Sequence, residues 1–238
     1  MIVGNGQIAT IFKNDADQAK YKNICIFASG VSNSSCTDEK EFKREEDLLL
    51  KNLDENKGKK FIYFSSCALS APEYPRNDYY NHKERMEQLI KDKTCDYLIC
   101  RVPQLFGDLK RHNTLINFLY DSIVSGKDFT VYSEAYRYVI EINDLKKIVD
   151  HILGKNIENI QMIDIGFYKK YSVVEIVKII EGITKKTARY NIVIKSDEYD
   201  LSFHHLKDLL DDVDIGVSFS SNYLKEKLTK KFKKLGAF

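Results

Sequence analysis

The amino-acid sequence predicts an α/β fold: a doubly wound parallel sheet, shortened by two strands, with a small C-terminal α/β part. Short apolar runs alternate with amphipathic helical patterns along most of the 238 residues, which is typical of a parallel sheet covered by helices. A glycine-rich turn directly follows the first apolar run. Hydrophobic residues make up 43% of the chain, enough for a sizeable core. The composition shifts after residue 155 without a clean linker, so we expect a main domain at 1–155 and a smaller part at 156–238, with interleaved segments.

Each predicted element rests on its own pattern of apolar residues and end signals. Asp78 is expected to cap the helix that it begins, and Gly126 to close the next one. The predicted strands are 1–3, 23–28, 61–65, 97–102, 129–132, 138–142, 161–165 and 191–195. A first helix is expected to start at the glycine turn, and the later helices are 41–53, 78–91, 114–125, 144–153, 172–184 and 221–235.

Composition and charge argue against several classes of protein. The net charge is +2, from 37 basic and 35 acidic residues, so it gives no indication of a nucleic-acid partner. Five cysteines without a C-x-x-C motif argue against a disulfide framework or zinc site, and the histidines lack metal-ligand spacing, so no metal is expected. The sequence shows neither a signal peptide nor the roughly 18-residue apolar stretch of a membrane span. We therefore expect a cytoplasmic protein.

The turn Gly4-Asn-Gly6-Gln-Ile-Ala9 has the pattern G-x-G-x-x-A between a strand and a helix. Gly4 would permit a tight turn, Gly6 would let the backbone approach a pyrophosphate, and Ala9 would allow close packing of the helix on the strand. The helix dipole and free N–H groups would also favour a phosphate. An ordinary strand–helix turn is the alternative interpretation of this short motif.

Tyr79 and Lys83 form a Y-x-x-x-K pair on one face of the predicted helix 78–91. An ammonium near a phenol favours the phenolate, so Lys83 is expected to lower the pKa of Tyr79 from its usual value of about 10. Such a tyrosine can exchange a proton with a hydroxyl or carbonyl. The alternative is a surface contact between the two side chains, which is common on helices.

The order of further motifs around this pair is more specific than any single motif. The glycine turn is followed by Phe27-Ala-Ser-Gly30, Phe64-Ser-Ser-Cys-Ala68, the Y-x-x-x-K pair and Arg101-Val-Pro-Gln-Leu-Phe-Gly107. Downstream come Arg137-Tyr-Val-Ile-Glu-Ile-Asn-Asp144, Asp164-Ile-Gly166 and Ser172-Val-Val-Glu-Ile-Val177. Nearly end to end, this series resembles the extended short-chain dehydrogenase/reductase superfamily of nucleotide-sugar epimerases, dehydratases and ketoreductases. The short length resembles members found in bacterial surface-polysaccharide clusters. The resemblance implies a Rossmann-like fold.

The resemblance also implies roles for individual residues. Tyr79 would be the acid/base, and Lys83 would tune it and hold the ribose of a dinucleotide. The family's assisting Ser/Thr falls on Cys67, and Ser66 would replace it if the loop shifts by one residue. Gln104 and Arg137 would reach the diphosphate of a nucleotide sugar, a task that suits the planar guanidinium. The implied cofactor-binding residues are Gly4, Gly6, Gln7, Ile8, Ala28, Ser29, Gly30, Lys83 and Pro103, with Pro103 near the nicotinamide.

The chain departs from the family pattern between Ala9 and Asn23, where only 13 residues intervene. One βαβ unit already needs about 30 residues, so two strands that normally follow the glycine turn are expected to be missing. Those strands normally carry the residue that distinguishes NAD from NADP. The sequence therefore predicts NAD or NADP as cofactor without a choice between them.

The leading hypothesis is an NAD(P)-dependent nucleotide-sugar ketoreductase or epimerase of surface-polysaccharide (capsule or O-antigen) biosynthesis. Two alternatives remain open. One is a degenerate scaffold that binds a sugar nucleotide or a partner enzyme without hydride transfer, and the other is a sugar-nucleotide enzyme that uses Tyr79 without a dinucleotide. By analogy with the superfamily, a homodimer is expected to form through the helices 41–53 and 78–91.

Overall fold

A computed structural model of the chain describes residues 1–107, 114–155, 160–211 and 213–234. Its strands are β1 Ile2–Val3, β2 Ile24–Phe27, β3 Lys60–Ser66, β4 Tyr97–Val102, β5 Gln104–Phe106, β6 Asp128–Arg137, β7 Val139–Glu141, β8 Met162–Asp164, β9 Tyr171–Ser172 and β10 Arg189–Asp197. Its α-helices are α1 Gln7–Lys13, α2 Glu39–Glu55, α3 Asp78–Lys93, α4 Leu115–Ser125, α5 Ile142–Gly154, α6 Val173–Thr184, α7 His204–Leu210 and α8 Tyr223–Lys234. Short 3₁₀ turns lie at Gln18–Tyr21 and Cys67–Ser70.

The main sheet contains five parallel strands in the order β1-β2-β3-β4-β8. Alternate side chains of these strands enter two separate cores, as the two-residue period of a strand requires. Cys25 and Phe27 of β2 face α2 and α3, whereas Ile26 between them faces α1 and α5. Helices therefore cover both faces of the sheet, and the predicted doubly wound α/β fold class is confirmed.

The sheet is shortened at β1. After β1 the chain passes through α1, which has 7 residues, and the turn Gln18–Tyr21 directly into β2. Ile2 pairs with Ile26, and Val3 pairs with Phe27. Among the described residues no strand pairs with the other side of β1, which is therefore an edge of this sheet.

The second half of the chain builds a separate layer around β6, which lies between β10 and β9. Ile116 of α4, Val177 of α6 and Leu228 of α8 pack against this layer in one hydrophobic core. The segments interleave along the sequence, since β6 precedes residue 155 whereas β8 follows it and joins the main sheet. The division into 1–155 and 156–238 remains a prediction.

Most predicted elements are present, with bounds that differ by a few residues. The side chain of Asn77, rather than that of Asp78, caps α3 by accepting from the backbone N–H of Tyr80. Gly126 closes α4 in the left-handed conformation, as predicted. The helix α7 was not predicted, and Leu235, the predicted end of the last helix, lies outside the described residues. Within the described ranges no helix is both long and apolar enough to cross a bilayer.

Candidate active site

A cleft of about 1360 Å³ lies at the carboxyl ends of the main-sheet strands. Parallel strands all present their carboxyl ends to one edge of the sheet, so the loops that follow them meet there. The glycine turn, the loop after β2, the end of β3, the loop after β4 and α3 all contribute to its lining. Arg137 and the segment 195–199 complete it. The predicted site residues that line the cleft are Gly6, Gln7, Ile8, Ala28, Ser29, Gly30, Ser66, Tyr79, Lys83, Pro103, Gln104 and Arg137.

The two glycines of the first turn have different surroundings. Gly4 does not line the cleft, has a φ of +114°, and lies so close to β2 that a Cβ atom there would be 2.3 Å from the Ala28 carbonyl oxygen. It therefore serves the tight turn between β1 and α1. A Cβ on Gly6 would meet nothing within 4 Å, because this residue faces the open cleft. Gly6 is the position where a bound group can approach the backbone.

Lys83 lies in a buried polar cluster around Glu45 of α2. The Lys83 ammonium is 3.0 Å from Glu45 Oε1 and 3.1 Å from the Tyr63 hydroxyl. The Glu45 carboxylate also accepts from the Tyr63 hydroxyl at 2.7 Å and from the Val31 backbone N–H at 2.6 Å, and it lies 3.0 Å from His82 Nε2. Burial opposes the charged form of Glu45, but the Lys83 charge and these hydrogen bonds hold its pKa below the ordinary value.

Tyr79 lies on the face of α3 that carries Lys83, with the ammonium 5.8 Å from the centroid of its ring. Within the described part of the chain, no hydrogen bond to the Tyr79 hydroxyl is found. Burial, followed by the neighbouring Tyr80, Glu45 and Cys67, raises the pKa of Tyr79. The pKa of Tyr79 is therefore raised where a lowered pKa was expected, and burial of the phenol is the main cause.

Cys67 and the serines before it occupy different positions relative to the cleft. The Cys67 thiol is fully buried beside the Tyr199 hydroxyl, at 3.3 Å, and it does not line the cleft. Burial is the main cause that raises the pKa of this thiol to about 12. Ser65 and Ser66 do line the cleft. The buried Ser65 Oγ has no hydrogen-bonding partner among the described residues, so it is available to a bound group.

Arg137 also lines the cleft and is held there by Asp197. Its guanidinium donates to the Asp197 backbone oxygen at 2.9 Å and to a carboxylate oxygen at 2.5 Å. The Tyr74 hydroxyl donates to the other carboxylate oxygen at 2.6 Å. Burial opposes the charge on Asp197, but Tyr74 and Arg137 together lower its pKa. The predicted anion-binding arginine therefore already has an acidic partner.

Sequence reasoning missed Glu45 and Asp197. Glu45 lies in the charged run Lys43-Arg-Glu-Glu-Asp47, and such a run is typical of an exposed helix face. A signal was nevertheless present, because Glu45, Leu49, Asn52 and Leu53 follow helical spacing and share the buried face of α2. Asp197 gave no comparable signal, since its partner Arg137 lies 60 residues away in sequence.

Comparison with known proteins finds similarity in structure only. No protein-family model matches the sequence, and no curated protein matches it significantly. A UDP-N-acetylglucosamine 4-epimerase from Methanobrevibacter ruminantium M1, solved with UDP-N-acetylmuramic acid, superposes with a TM-score of 0.69 at 16% identity, over 95% of this chain and 81% of that chain. A dTDP-glucose 4,6-dehydratase from Bacillus anthracis, solved with NAD, gives a TM-score of 0.69 at 16% identity, with 97% and 79% coverage.

A third structure, a UDP-glucuronic acid 4-epimerase from Bacillus cereus with UDP-glucuronic acid and NAD, gives a TM-score of 0.68 at 18% identity. The match covers 97% of this chain and 79% of that chain. The chain therefore has the Rossmann-like fold of these nucleotide-sugar epimerase and dehydratase structures.

Proposed function

We propose that this protein is an NAD(P)-dependent enzyme that transfers hydride to or from a nucleotide-linked sugar, as a ketoreductase or an epimerase. The observation that carries the proposal is one cleft that is lined by Gly6, Tyr79 and Arg137 together. Such a cleft offers a backbone approach for a pyrophosphate, a proton donor and a bidentate anion ligand. The fold shared with structures that contain NAD and sugar nucleotides supports it.

The residues of the cleft fit the pyrophosphate and nicotinamide portions of a dinucleotide. Gly6 leaves room where a pyrophosphate would approach, and Ser65 presents an unpaired buried hydroxyl. The loop 28–30 and Pro103 would flank the nicotinamide ribose and ring. When bound, the nicotinamide supplies or accepts the hydride. NAD and NADP are both candidates, because β1 is the edge of the sheet and no adjoining strand offers an adenosine-reading residue among those described.

The chain's own residues would bind the sugar nucleotide and move the proton. Arg137 and Gln104 would hold the diphosphate. Tyr79 would exchange its hydroxyl proton with the reacting oxygen of the sugar. Lys83 would hold a ribose hydroxyl from the edge of the cleft, although its ammonium already donates to both carboxylate oxygens of Glu45 and to the Tyr63 hydroxyl.

The direct test is a Tyr79→Phe variant assayed with a panel of nucleotide sugars. Removal of the proton donor is expected to lower kcat by about 10²–10⁴-fold. Tyr97→Phe is a matched control, because Tyr97 is the first residue of β4 and lies at the amino end of this strand, away from the cleft at the carboxyl ends. Turnover of Tyr79→Phe within about threefold of wild type would contradict the acid/base role.

A second candidate function is a scaffold that binds a sugar nucleotide or a partner enzyme without hydride transfer. The Glu45–Lys83 ion pair and the edge position of β1 favour it, since both restrict the usual contacts to a dinucleotide. Fluorescence titration with NAD(H) and NADP(H) separates the two functions. Lack of binding at millimolar concentration by folded protein, together with binding of a nucleotide sugar, would select the scaffold.

A role in making a capsule or O-antigen and a cytoplasmic location also remain proposals. The role rests on the sequence resemblance, and the location rests on the five cysteines without a disulfide or zinc pattern. The expected homodimer through α2 and α3 is a further proposal, although the outer faces of these helices carry the exposed charges Lys43, Asp47 and Arg85. A monomeric mass by light scattering at micromolar concentration would contradict the dimer.

A further inference from the structure

The Glu45 carboxylate is fully buried yet ionised, beside the proposed active site. Burial of a carboxylate is unfavourable unless several donors surround it. Those donors come from three neighbouring elements: Val31 in the loop after β2, Tyr63 in β3, and His82 and Lys83 in α3. Glu45 thus links the loop that lines the cleft to the helix that carries Tyr79.

The ion pair of Glu45 and Lys83 lies directly against Gly30, so a larger residue at this position would displace one of the two side chains. A Cβ there would lie 2.4 Å from Lys83 Nζ and 2.8 Å from Glu45 Oε1. Gly30 therefore allows the ion pair to form directly beneath the loop. The ammonium is 3.0 Å from the carboxylate but 5.8 Å from the ring centroid of Tyr79, so its charge is balanced by Glu45.

We propose that Glu45 is a positioning residue of this site that pairs with Lys83 and so offsets the support that the ammonium would give to the phenolate of Tyr79. The inference rests on the proposed function for its chemical consequence. The titratable groups that face Tyr79 are Tyr80 and Lys83 on its own helix, Glu45 on α2, Tyr63 in β3 and Cys67 in the turn after β3. Burial is the main cause that keeps the proton on Tyr79, and Lys83 is the one positive charge in this set, which the Glu45 contact at 3.0 Å offsets.

A tyrosine that keeps its proton suits the reduction of a carbonyl on the sugar. The carbonyl carbon gains a hydride from the reduced nicotinamide cofactor, which becomes oxidised. The carbonyl oxygen takes the Tyr79 proton as the C=O π bond breaks, which yields an alcohol. Water then restores the proton to the phenolate. The site thus favours a keto-sugar nucleotide as substrate, so the reaction that supplies it must leave a carbonyl on the sugar.

The test measures the ionisation of Tyr79 without cofactor or substrate, by tyrosinate absorbance during an alkaline titration. Glu45→Gln and Glu45→Gln/Tyr79→Phe differ only in the contribution of Tyr79. Glu45→Gln removes the charge that balances Lys83. In this variant Tyr79 is expected to ionise at a pH at least about one unit lower than in wild type, which adds one tyrosinate to the absorbance. Glu46→Gln is the matched control, since Glu46 is the next residue on α2 and pairs with Arg85 at the surface. Identical titrations of the two Glu45 variants would overturn the proposal.

A second measurement uses the wild-type chain, in case Glu45→Gln does not fold. NMR of protein labelled at the tyrosine ring, with Tyr79→Phe for assignment, is expected to show Tyr79 as the phenol at pH about 10, where an ordinary tyrosine is half ionised. A phenolate signal at that pH would overturn the proposal. If the two Glu45 variants titrate differently as expected but no nucleotide sugar is turned over, the proposed function fails and the role of Glu45 stands.

Discussion

Replacement of Lys83 by methionine is expected to destabilise the fold strongly. The variant removes the ammonium of a side chain that is 3% exposed. Its fully buried partner Glu45 is then left without a counter-charge. It also removes a 3.1 Å hydrogen bond to the Tyr63 hydroxyl. Removal of one partner of a buried ion pair typically costs about 3–5 kcal/mol, so we expect the free energy of unfolding at pH 7 to fall by about that amount.

The loss of stability in Lys83→Met should depend on pH. In wild type the pKa of Glu45 is below its ordinary value, so the carboxylate contributes stability above the unfolded pKa, and this is lost as pH falls through the folded pKa. Without Lys83, burial raises the pKa of Glu45 above the unfolded value of about 4.3. The folded variant then regains stability as the carboxyl takes up a proton. The difference from wild type is therefore larger at pH 7 than near pH 5.

Urea unfolding at the two pH values measures this effect. Arg85→Met is the matched control, because Arg85 lies on the same helix and pairs with Glu46 at the surface, with its side chain 63% exposed. Its expected cost is at most about 1 kcal/mol. The double variant Glu45→Gln/Lys83→Met buries no charge and should be more stable than Lys83→Met alone. A cost for Lys83→Met below about 1 kcal/mol, or one that does not change with pH, would refute the reasoning.

Three further predictions concern the glycine turn and Arg137. Gly4→Ala should lower the free energy of unfolding by about 1–3 kcal/mol through backbone strain alone, and by more through its clash with the Ala28 carbonyl, as measured by urea unfolding. Gly6→Leu should leave the melting temperature unchanged, because a side chain there enters open space, but should abolish dinucleotide binding in a fluorescence titration. Asp197→Asn should free Arg137 and tighten binding of a nucleoside diphosphate about 5-fold or more by calorimetry, and an unchanged or weaker affinity would contradict this.

The elements that could be predicted are those whose signals are local. Helix α4 is an example, since the Thr114 side chain accepts from the Asn117 N–H at one end and Gly126 adopts the left-handed conformation at the other. The helix α3 shows the limit of such signals. Asn77 and Asp78 are adjacent and both suit a cap, and the sequence alone gives no reason to prefer Asn77. Short elements such as α7 escaped prediction because seven residues carry too little periodicity.

The location of the candidate site was predictable for a topological reason. Parallel strands gather their following loops at one edge, so Gly6, Ser66 and Gln104 were expected to meet although they are far apart in sequence. The partners of the charged residues were not predictable in this way. Lys83 meets Glu45 across 38 residues and Arg137 meets Asp197 across 60, and no local pattern fixes such pairs.

The Y-x-x-x-K pair shows why a motif specifies geometry better than chemistry. Helical periodicity places Tyr79 and Lys83 on one face, and this depends only on their spacing. The direction of the pKa change depends on the burial of the phenol and on every charge around it, and burial is the largest of these effects. Glu45 adds to it in two ways, because its own charge disfavours a second negative charge nearby and because it pairs with the ammonium that would otherwise favour the phenolate. Both effects come from residues outside the motif. The spacing of Tyr79 and Lys83 therefore does not by itself determine how readily the site gives up a proton.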